Sequence, residues 1–390
     1  MASRAGGRRR ISILGATGSI GRSALQVVRH YPDLFEVVAL GAHRNVDLLS
    51  RQITEFRPQH VALTDPESAA RLRALDPPCE VHAGEHGLEA LAVLDVDVVL
   101  CAVVGAVGLR PLLSAINVGN RVAVANKEPF VMAGRLVMER ARARGVEVLP
   151  VDSEHNAIFQ CIHGHDRAQV RCIHLTASGG PFYGRSRESL AGVTPEEATK
   201  HPTWDMGAKI SVDSATLMNK GLEIVEAMWL FGLPPERIDV VIHPQSTIHS
   251  MVEFTDGNIL AHLGVTDMKF PILFALTYPE RVESPMARLD LTRLGELTFA
   301  APDFREFPCL AHARAAAAAG GTAPALLNAA NEVAVAAFCE GRLPFLAISE
   351  VVGGVMETCE ASSDWRLEAV FAADAAARAR AGTLVAGWTV

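Results

Sequence analysis

The feature that most limits what this chain can become lies at its start. Residues 11–14 (ISIL) are a short apolar run, and GATGSIG comes directly after, with glycines at 15, 18 and 21. This order predicts a buried strand, a tight turn and then a helix from Ser23 to His30. A helix start beside a glycine turn presents backbone N–H groups and the positive end of the helix dipole to a phosphate. The spacing is a GxxGxxG variant of the dinucleotide fingerprint, weak alone and stronger beside the next predicted strand. That strand, Phe35–Leu40, runs into Gly41, Ala42, His43, Arg44 and Asn45. An NAD-binding protein places an acidic group there for the ribose hydroxyls. Arg44 in that position favours a 2′-phosphate, and so NADP; the alternative is a solvated arginine at a strand end.

Further short apolar runs alternate with helical stretches: His60–Leu63, Val98–Val104, Val122–Ala125 and Val146–Val151. This is the βαβ pattern of a doubly wound parallel sheet. Ligands in such sheets sit beyond the carboxyl ends of the strands. At those ends stand Asn126-Lys127-Glu128 and Asp152-Ser153-Glu154. Lys127 has no evident neutralising neighbour in sequence and can bind substrate or move a proton, or simply be an exposed strand-end lysine. Asp152 and Glu154 are two residues apart, so an extended segment would point both to one side. Two such carboxylates repel unless they share a cation or proton. With Glu223 they offer three oxygen ligands, a set that suits Mg²⁺ or Mn²⁺ better than zinc. His155, His163, His165 and His174 match no common zinc spacing.

After 154 the pattern changes. Val170–Ala177 reads as a strand ending in Ser178-Gly179-Gly180-Pro181, a donor-rich turn suited to phosphate. HPTWDMG (201–207) has neither helical nor strand period. A Trp and a Met in a polar loop suggest either a lid or a packed loop whose Trp204 plugs the core. The periodic run after it predicts one helix from Ser214 to Phe231, capped by Asp213 or Ser214. Asn219, Lys220 and Glu223 then share a face with spacings of three and four. Strands are expected near Asp239–Ile242, Ser250–Phe254 and Ile259–Leu263, as a second sheet. From Cys309 onward, alanine-rich segments at helical period predict a small bundle: Cys309–Ala319, Pro324–Cys339, Ala347–Cys359 and Asp364–Ala381.

Length and composition set the outer limits. A chain of 390 residues holds two or three domains at about 150 residues each. Its 49% hydrophobic content and 21% charge leave room for a large core. A net charge of −8 argues against a general nucleic-acid or membrane surface, so anionic ligands must be held by local clusters. Seven cysteines without CxxC spacing fit reduced thiols in a reducing compartment. No targeting segment is evident, and the longest apolar run, Val98–Leu109, is too short to span a bilayer. A cytoplasmic protein is expected.

Taken together, GATGSIG, NKE, VDSEH, LTASGGPF, HPTWDMG, ISVDSATLMNKGLE and VIHPQSTIHSM resemble the 1-deoxy-D-xylulose-5-phosphate reductoisomerase family over nearly the whole chain, in order. The resemblance implies rearrangement and reduction of 1-deoxy-D-xylulose 5-phosphate to 2-C-methyl-D-erythritol 4-phosphate, dependent on NADPH and on Mg²⁺ or Mn²⁺, in isoprenoid precursor synthesis. It implies a homodimer and three domains: a Rossmann-like NADPH domain (1–152), a central α+β catalytic domain with the lid (153–280) and a C-terminal helical domain (309–390); residues 281–308, with several prolines and few periodic runs, read as a linker. It assigns Thr17, Gly18, Ser19 and Ile20 to the cofactor pyrophosphate and Arg44 and Asn45 to the 2′-phosphate. Asn126, Glu128 and Gly207 are further cofactor contacts. Asp152, Glu154 and Glu223 correspond to the metal ligands. Ser178, Ser214, Asn219 and Lys220 correspond to the substrate-phosphate cradle, Lys127, Ser153 and Glu154 lie along the sugar, and His201, Trp204 and Met206 belong to the lid. Lys127 and His201 join the three carboxylates as expected catalytic groups. Thr203 and Asp205 depart from the usual lid pattern and His43 from the usual cofactor loop; they bear on lid stiffness and cofactor contacts, not on the chemistry.

A metal-free NADP dehydrogenase with a cysteine nucleophile, such as a semialdehyde dehydrogenase, is the competing enzyme reading. Cys101, in the strand-end segment Cys101-Ala102-Val103-Val104-Gly105, is the one cysteine placed among the candidate ligand-binding segments. A non-catalytic NADP sensor is the other alternative, and it leaves the carboxylates and phosphate-binding groups unused.

Overall fold

The apolar runs that alternate through the first part of the chain become the centre of a parallel sheet. The computed structural model describes residues 7–204 and 206–388. Seven strands, β1 (Arg9–Leu14), β2 (Phe35–Ala42), β3 (His60–Leu63), β4 (Glu80–Ala83), β5 (Val98–Cys101), β6 (Arg121–Val124) and β7 (Val148–Pro150), lie in the order β4-β3-β2-β1-β5-β6-β7. All neighbours are parallel. Ile11, Ile13, Leu14, Val99 and Leu100 have no exposed surface, as strands covered on both faces require. The strand order reverses at β1, so the glycine turn after it sits at the switch point, where the carboxyl ends of β1 and β5 open a crevice.

A second sheet holds β8 (Val170–Ala177), β9 (Ile238–Ile242), β10 (Ile248–Phe254) and β11 (Ile259–Leu263), ordered β11-β10-β8-β9. It is mixed: β8 and β9 are parallel, and the other pairs antiparallel. Four helices complete the chain, Pro308–Ala319, Ala323–Cys339, Ala347–Thr358 and Leu367–Ala386, within a residue or a few of the expected segments. Trp229 meets Trp365 edge to face at 5.3 Å, and Gly134 lies so close to Trp229 that a Cβ would be 2.1 Å from its ring.

The chain divides into two compact units. One contains the residues up to Pro129, Val137–Asn156 and Asp267–Met286; the other contains Phe130–Leu136, Ala157–Thr266 and Ala287–Val390. Residues 267–280, expected in the catalytic domain, thus return to the unit of the parallel sheet.

Four local expectations are corrected. β5 stops at Cys101, because the chain turns away through Gly105 at φ 82° instead of continuing to Val104. β4 (EVHA), short and only half-buried, was not foreseen. Ser153–Ile162 is a helix, so Glu154 sits in a first helical turn and not on an extended strand. The helix expected from Ser214 to Phe231 is two helices, Ala208–Ala215 and Met218–Phe231. Leu217 separates them at φ 58°, a left-handed conformation held by its buried side chain (3% exposed). Asp213 and Ser214 therefore cap nothing; they lie inside the first helix.

Candidate active site

In the first unit the glycine turn is a tightly closed backbone cradle. Gly15 has φ 98°, and a Cβ on it would lie 2.3 Å from the Ala102 carbonyl oxygen. A Cβ on Gly21 would lie 2.2 Å from the Gly15 carbonyl oxygen. The N–H groups of Gly15 and Ala16 both bond the Gly41 carbonyl (2.9 and 2.7 Å), which ties the turn to the end of β2. The helix starts at Ser19, earlier than its sequence pattern indicates, with Gly18 as a cap that has no side chain to offer. Its first-turn N–H groups suit an anion. Thr17, Gly18, Ser19 and Ile20 all lie on this rim.

After β2, His43, Arg44 and Asn45 are exposed. His43 bonds the Thr64 hydroxyl at 2.6 Å through Nδ1, and Arg44 donates to its Nε2 at 2.9 Å. Arg44 is thus steadied by its neighbour. Asn45 has a role that its sequence context does not reveal: its side chain accepts from the Leu48 N–H (3.1 Å) and caps the helix Val46–Phe56.

At the far side of the same sheet, Asn126, Lys127 and Glu128 are all buried. Asn126 lies against Gly105 and Gly108, where a Cβ on Gly108 would be 2.5 Å from its amide nitrogen. Glu128 opens the helix Glu128–Arg144, the favourable end for a carboxylate. Lys127 is not the isolated lysine its sequence context suggests. Its ammonium pairs with Asp152 at 2.8 Å, with the two side chains only 6% and 13% exposed. His155, fully buried, stands 3.8 Å from the same carboxylate through Nδ1 and was missed as a site neighbour. Ser153 donates to Glu154 at 2.6 Å. The neighbouring ends of β6 and β7 thus carry two carboxylates, an ammonium and a hydroxyl.

The second unit repeats the pairing of cation with carboxylate. Glu223 and Lys220 are buried and bonded to each other, and Asn219 donates to the other Glu223 oxygen at 2.6 Å. The expected shared face therefore exists, on Met218–Phe231. Repulsion among bare carboxylates does not describe either half, because Asp152 and Glu223 each already have a lysine partner. Ser214 is buried beside the Ser178 turn: a Cβ on Gly180 would meet the Ser214 carbonyl oxygen at 2.6 Å. Asp213 is held in the interior by Lys209 (2.9 Å) and Asn331 (2.7 Å), a structural task.

His201 fastens the start of the expected lid. Its Nδ1 accepts from the N–H groups of Thr203 (3.2 Å) and Trp204 (3.0 Å). The ring proton must then sit on Nε2, which donates to the Ser178 hydroxyl at 2.9 Å. Trp204 and Met206 are half-buried, and Trp204 lies 6.2 Å from His249. His249, itself stacked on His262 at 5.6 Å, was not singled out although it stands in the VIHPQSTIHSM segment. Gly207 is exposed and caps the helix Ala208–Ala215. Asp205 lies outside the described residues.

Two competing readings weaken against this arrangement. Cys101 is completely buried, and burial pushes its thiol up to about 12, where no useful thiolate forms near neutrality. Among the described residues, His155, His163, His165 and His174 do not form a four-histidine centre for zinc.

A glycine cradle at a parallel-sheet switch point, in one chain with a buried amide, ammonium and carboxylate set, defines an α/β oxidoreductase of the dinucleotide-dependent class. Residues 11–134 match the family model of 1-deoxy-D-xylulose 5-phosphate reductoisomerase; residues 148–231 and 263–380 match models of that family's C-terminal domains. The reductoisomerase of Cupriavidus metallidurans is 53% identical over 377 residues, covering 95% of this chain and 96% of that one. That of Symbiobacterium thermophilum is 53% identical over 375 residues, covering 94% and 96%. The structure of the Zymomonas mobilis enzyme in complex with NADPH superposes with a TM-score of 0.91 at 44% identity, over 98% of this chain and 100% of the other. A reductoisomerase in complex with NADPH, fosmidomycin and magnesium gives 0.93 at 40% identity, over 97% and 98%. The chain belongs to the 1-deoxy-D-xylulose 5-phosphate reductoisomerase family.

Proposed function

We propose that this chain converts 1-deoxy-D-xylulose 5-phosphate to 2-C-methyl-D-erythritol 4-phosphate, using NADPH and Mg²⁺ or Mn²⁺, in the non-mevalonate supply of isoprenoid precursors. The observation that carries the reading is identity of 53% to a reductoisomerase across 95% of the chain, spanning both units. The residues fit the two groups the reaction needs. The Gly15 turn has no room for a side chain and ends at an uncapped helix start, which suits a pyrophosphate. Asp152, Glu154 and Glu223 are all oxygen donors, a hard set that suits Mg²⁺ or Mn²⁺. When bound, the metal supplies Lewis-acid polarisation of a ketone oxygen and a neighbouring hydroxyl, and the nicotinamide supplies the hydride.

The protein's own groups do the rest. Thr17, Gly18, Ser19 and Ile20 hold the pyrophosphate, Arg44 with His43 and Asn45 faces the 2′-phosphate, and Asn126, Glu128 and Gly207 complete the cofactor contacts. Lys220, Asn219, Ser214 and Ser178 bind the substrate phosphate. Lys127 and Ser153 orient the sugar hydroxyls, and the Lys127 ammonium, 2.8 Å from Asp152, holds that carboxylate in place. His201, bonded to Ser178, sets the base of the lid; Trp204 and Met206 then exclude water from a reactive aldehyde. In this reading residues 1–152 serve NADPH, 153–280 the chemistry and lid, and 309–390 the scaffold, joined by 281–308.

The protein works in the cytoplasm, which its seven unpaired thiols support. No described helix is long and apolar enough to cross a membrane. It works as a homodimer, supported by the exposed apolar residues Ile259, Leu260 and Leu263 on the edge strand β11. The deciding experiment monitors NADPH absorbance with deoxyxylulose phosphate, with EDTA and after Mg²⁺ is restored. Loss with chelator and recovery with metal is expected; no substrate-dependent oxidation in excess Mg²⁺ overturns the proposal.

A further inference from the structure

The outer edge of the parallel sheet carries a cluster the reaction does not use. β3 and β4 pair so that His60 stands opposite Glu80 and Ala62 opposite His82. Glu80 and His82 are two apart on β4 and therefore project to the same face as His60. His60 Nδ1 lies 3.3 Å from Glu80 Oε2, and His82 Nε2 lies 3.6 Å from Glu80 Oε1. One ligand atom from each of the three lies within 4.8 Å of the others. The imidazole rings are 5.7 Å apart, centre to centre.

Two observations distinguish this cluster from an ordinary surface ion pair. His60 Nδ1 and His82 Nε2 are each shielded from solvent and make no hydrogen bond. Both therefore face the carboxylate without the geometry that would satisfy them. Their separations from it are those of ligands around one small cation: atoms bound to zinc at about 2.0–2.2 Å and tetrahedral angles lie about 3.3–3.6 Å apart. The surroundings also hold the rings in place. The helix Glu85–Ala92 packs over this face, where a Cβ on Gly87 would lie 3.2 Å from His82 Cβ and 3.3 Å from Ala62 Cβ. The nearby Arg73 guanidinium is engaged with the Val81 carbonyl (2.8 and 3.3 Å). Glu80, 62% exposed, leaves room for water as a fourth ligand and can turn to bring one oxygen to both rings.

We propose that His60, Glu80 and His82 form a binding site for Zn²⁺. Two imidazoles and one carboxylate are the donor types zinc takes, whereas Mg²⁺ prefers the all-oxygen set of the reaction centre. The ion ties the edge strand β4 to β3 and stabilises that border of the sheet.

The test uses the full chain stripped of metal and returned to excess Mg²⁺, which occupies the oxygen site. Zn²⁺ is then titrated against a chromophoric chelator, and thermal unfolding is recorded with and without Zn²⁺. One equivalent bound per chain and a higher Tm are expected. His60→Ala and His82→Ala should each lose both effects, and Glu80→Gln should weaken binding at least about tenfold. All three should keep NADPH turnover in Mg²⁺, which shows that they fold. In Glu223→Gln the Zn²⁺ equivalent should persist. Absence of a bound equivalent, undiminished binding in both histidine variants, or its loss in Glu223→Gln instead overturns the assignment.

Discussion

At the scale of residues, the expected site residues include two buried ammonium–carboxylate pairs, Lys127–Asp152 in one unit and Lys220–Glu223 in the other. In each, the ammonium offsets the repulsion that a bare carboxylate would exert on its neighbours. The pairing sets what a Glu223→Gln variant should do. Glu223 has no exposed surface, and the substitution takes a carboxylate charge away from the buried Lys220 ammonium bonded to it. A loss of about 3 kcal/mol in unfolding free energy is expected, together with weaker Mg²⁺ binding and a lower kcat. Adding Lys220→Met should restore most of the stability but not the turnover. If the single variant keeps full kcat at low Mg²⁺, Glu223 is not a metal ligand. Arg44 is exposed and steadied by His43. Arg44→Asp should therefore leave Tm almost unchanged while reducing the preference of kcat/KM for NADPH over NADH by at least about tenfold, the equivalent of about 1.4 kcal/mol. Equal use of both cofactors by the unaltered protein would remove the 2′-phosphate role.

At the scale of elements, legibility in the sequence tracks the strength of the local pattern. β8 and the four C-terminal helices are readable because apolar period and length agree over many residues. The break at Leu217 is not, since no glycine or proline marks it and the apolar spacing runs through it; buried packing of one leucine imposes the left-handed turn. β4 is hidden by its shortness and half-burial, and with it the His60–Glu80–His82 cluster, whose members only a parallel pairing brings together. Lys127's partner is likewise unreadable, because β6 and β7 must first align before residues 127 and 152 can meet. The loop 201–207 stands out in composition, but the way His201 fastens it to Ser178 does not. With its base fastened there, the loop should respond to ligand at its tip. Binding of fosmidomycin with Mg²⁺ should change Trp204 emission and slow proteolysis at 201–207, with Trp204→Phe separating this signal from the other three tryptophans. His201→Asn should weaken the protection. Cleavage equally fast with and without ligand would mean that the loop is fixed packing and not a lid.

At the scale of the whole molecule, β11 raises the question of assembly. It bonds only β10 in its sheet, and its burial pattern is almost wholly exposed. Ile259, Leu260 and Leu263 are 53%, 41% and 38% exposed, in a strand with an unpaired outer edge among the described elements. Natural edges are usually blunted by charge, proline or a bulge on the outer side; here the residues are aliphatic except His262. A second copy of the chain, laid against this edge, would bury these side chains and complete the backbone pairing at once. Sedimentation at micromolar concentration should therefore give twice the 41.7 kDa chain mass. Leu260→Lys introduces an ammonium on the edge without disturbing the core, and it should shift the protein toward monomer and make its Tm depend more steeply on concentration. His60→Ala, on the other sheet, should leave the assembly as it was. A Leu260→Lys protein that remains wholly dimeric would place the contact elsewhere, and a monomeric unaltered protein would leave β11 without the partner proposed for it.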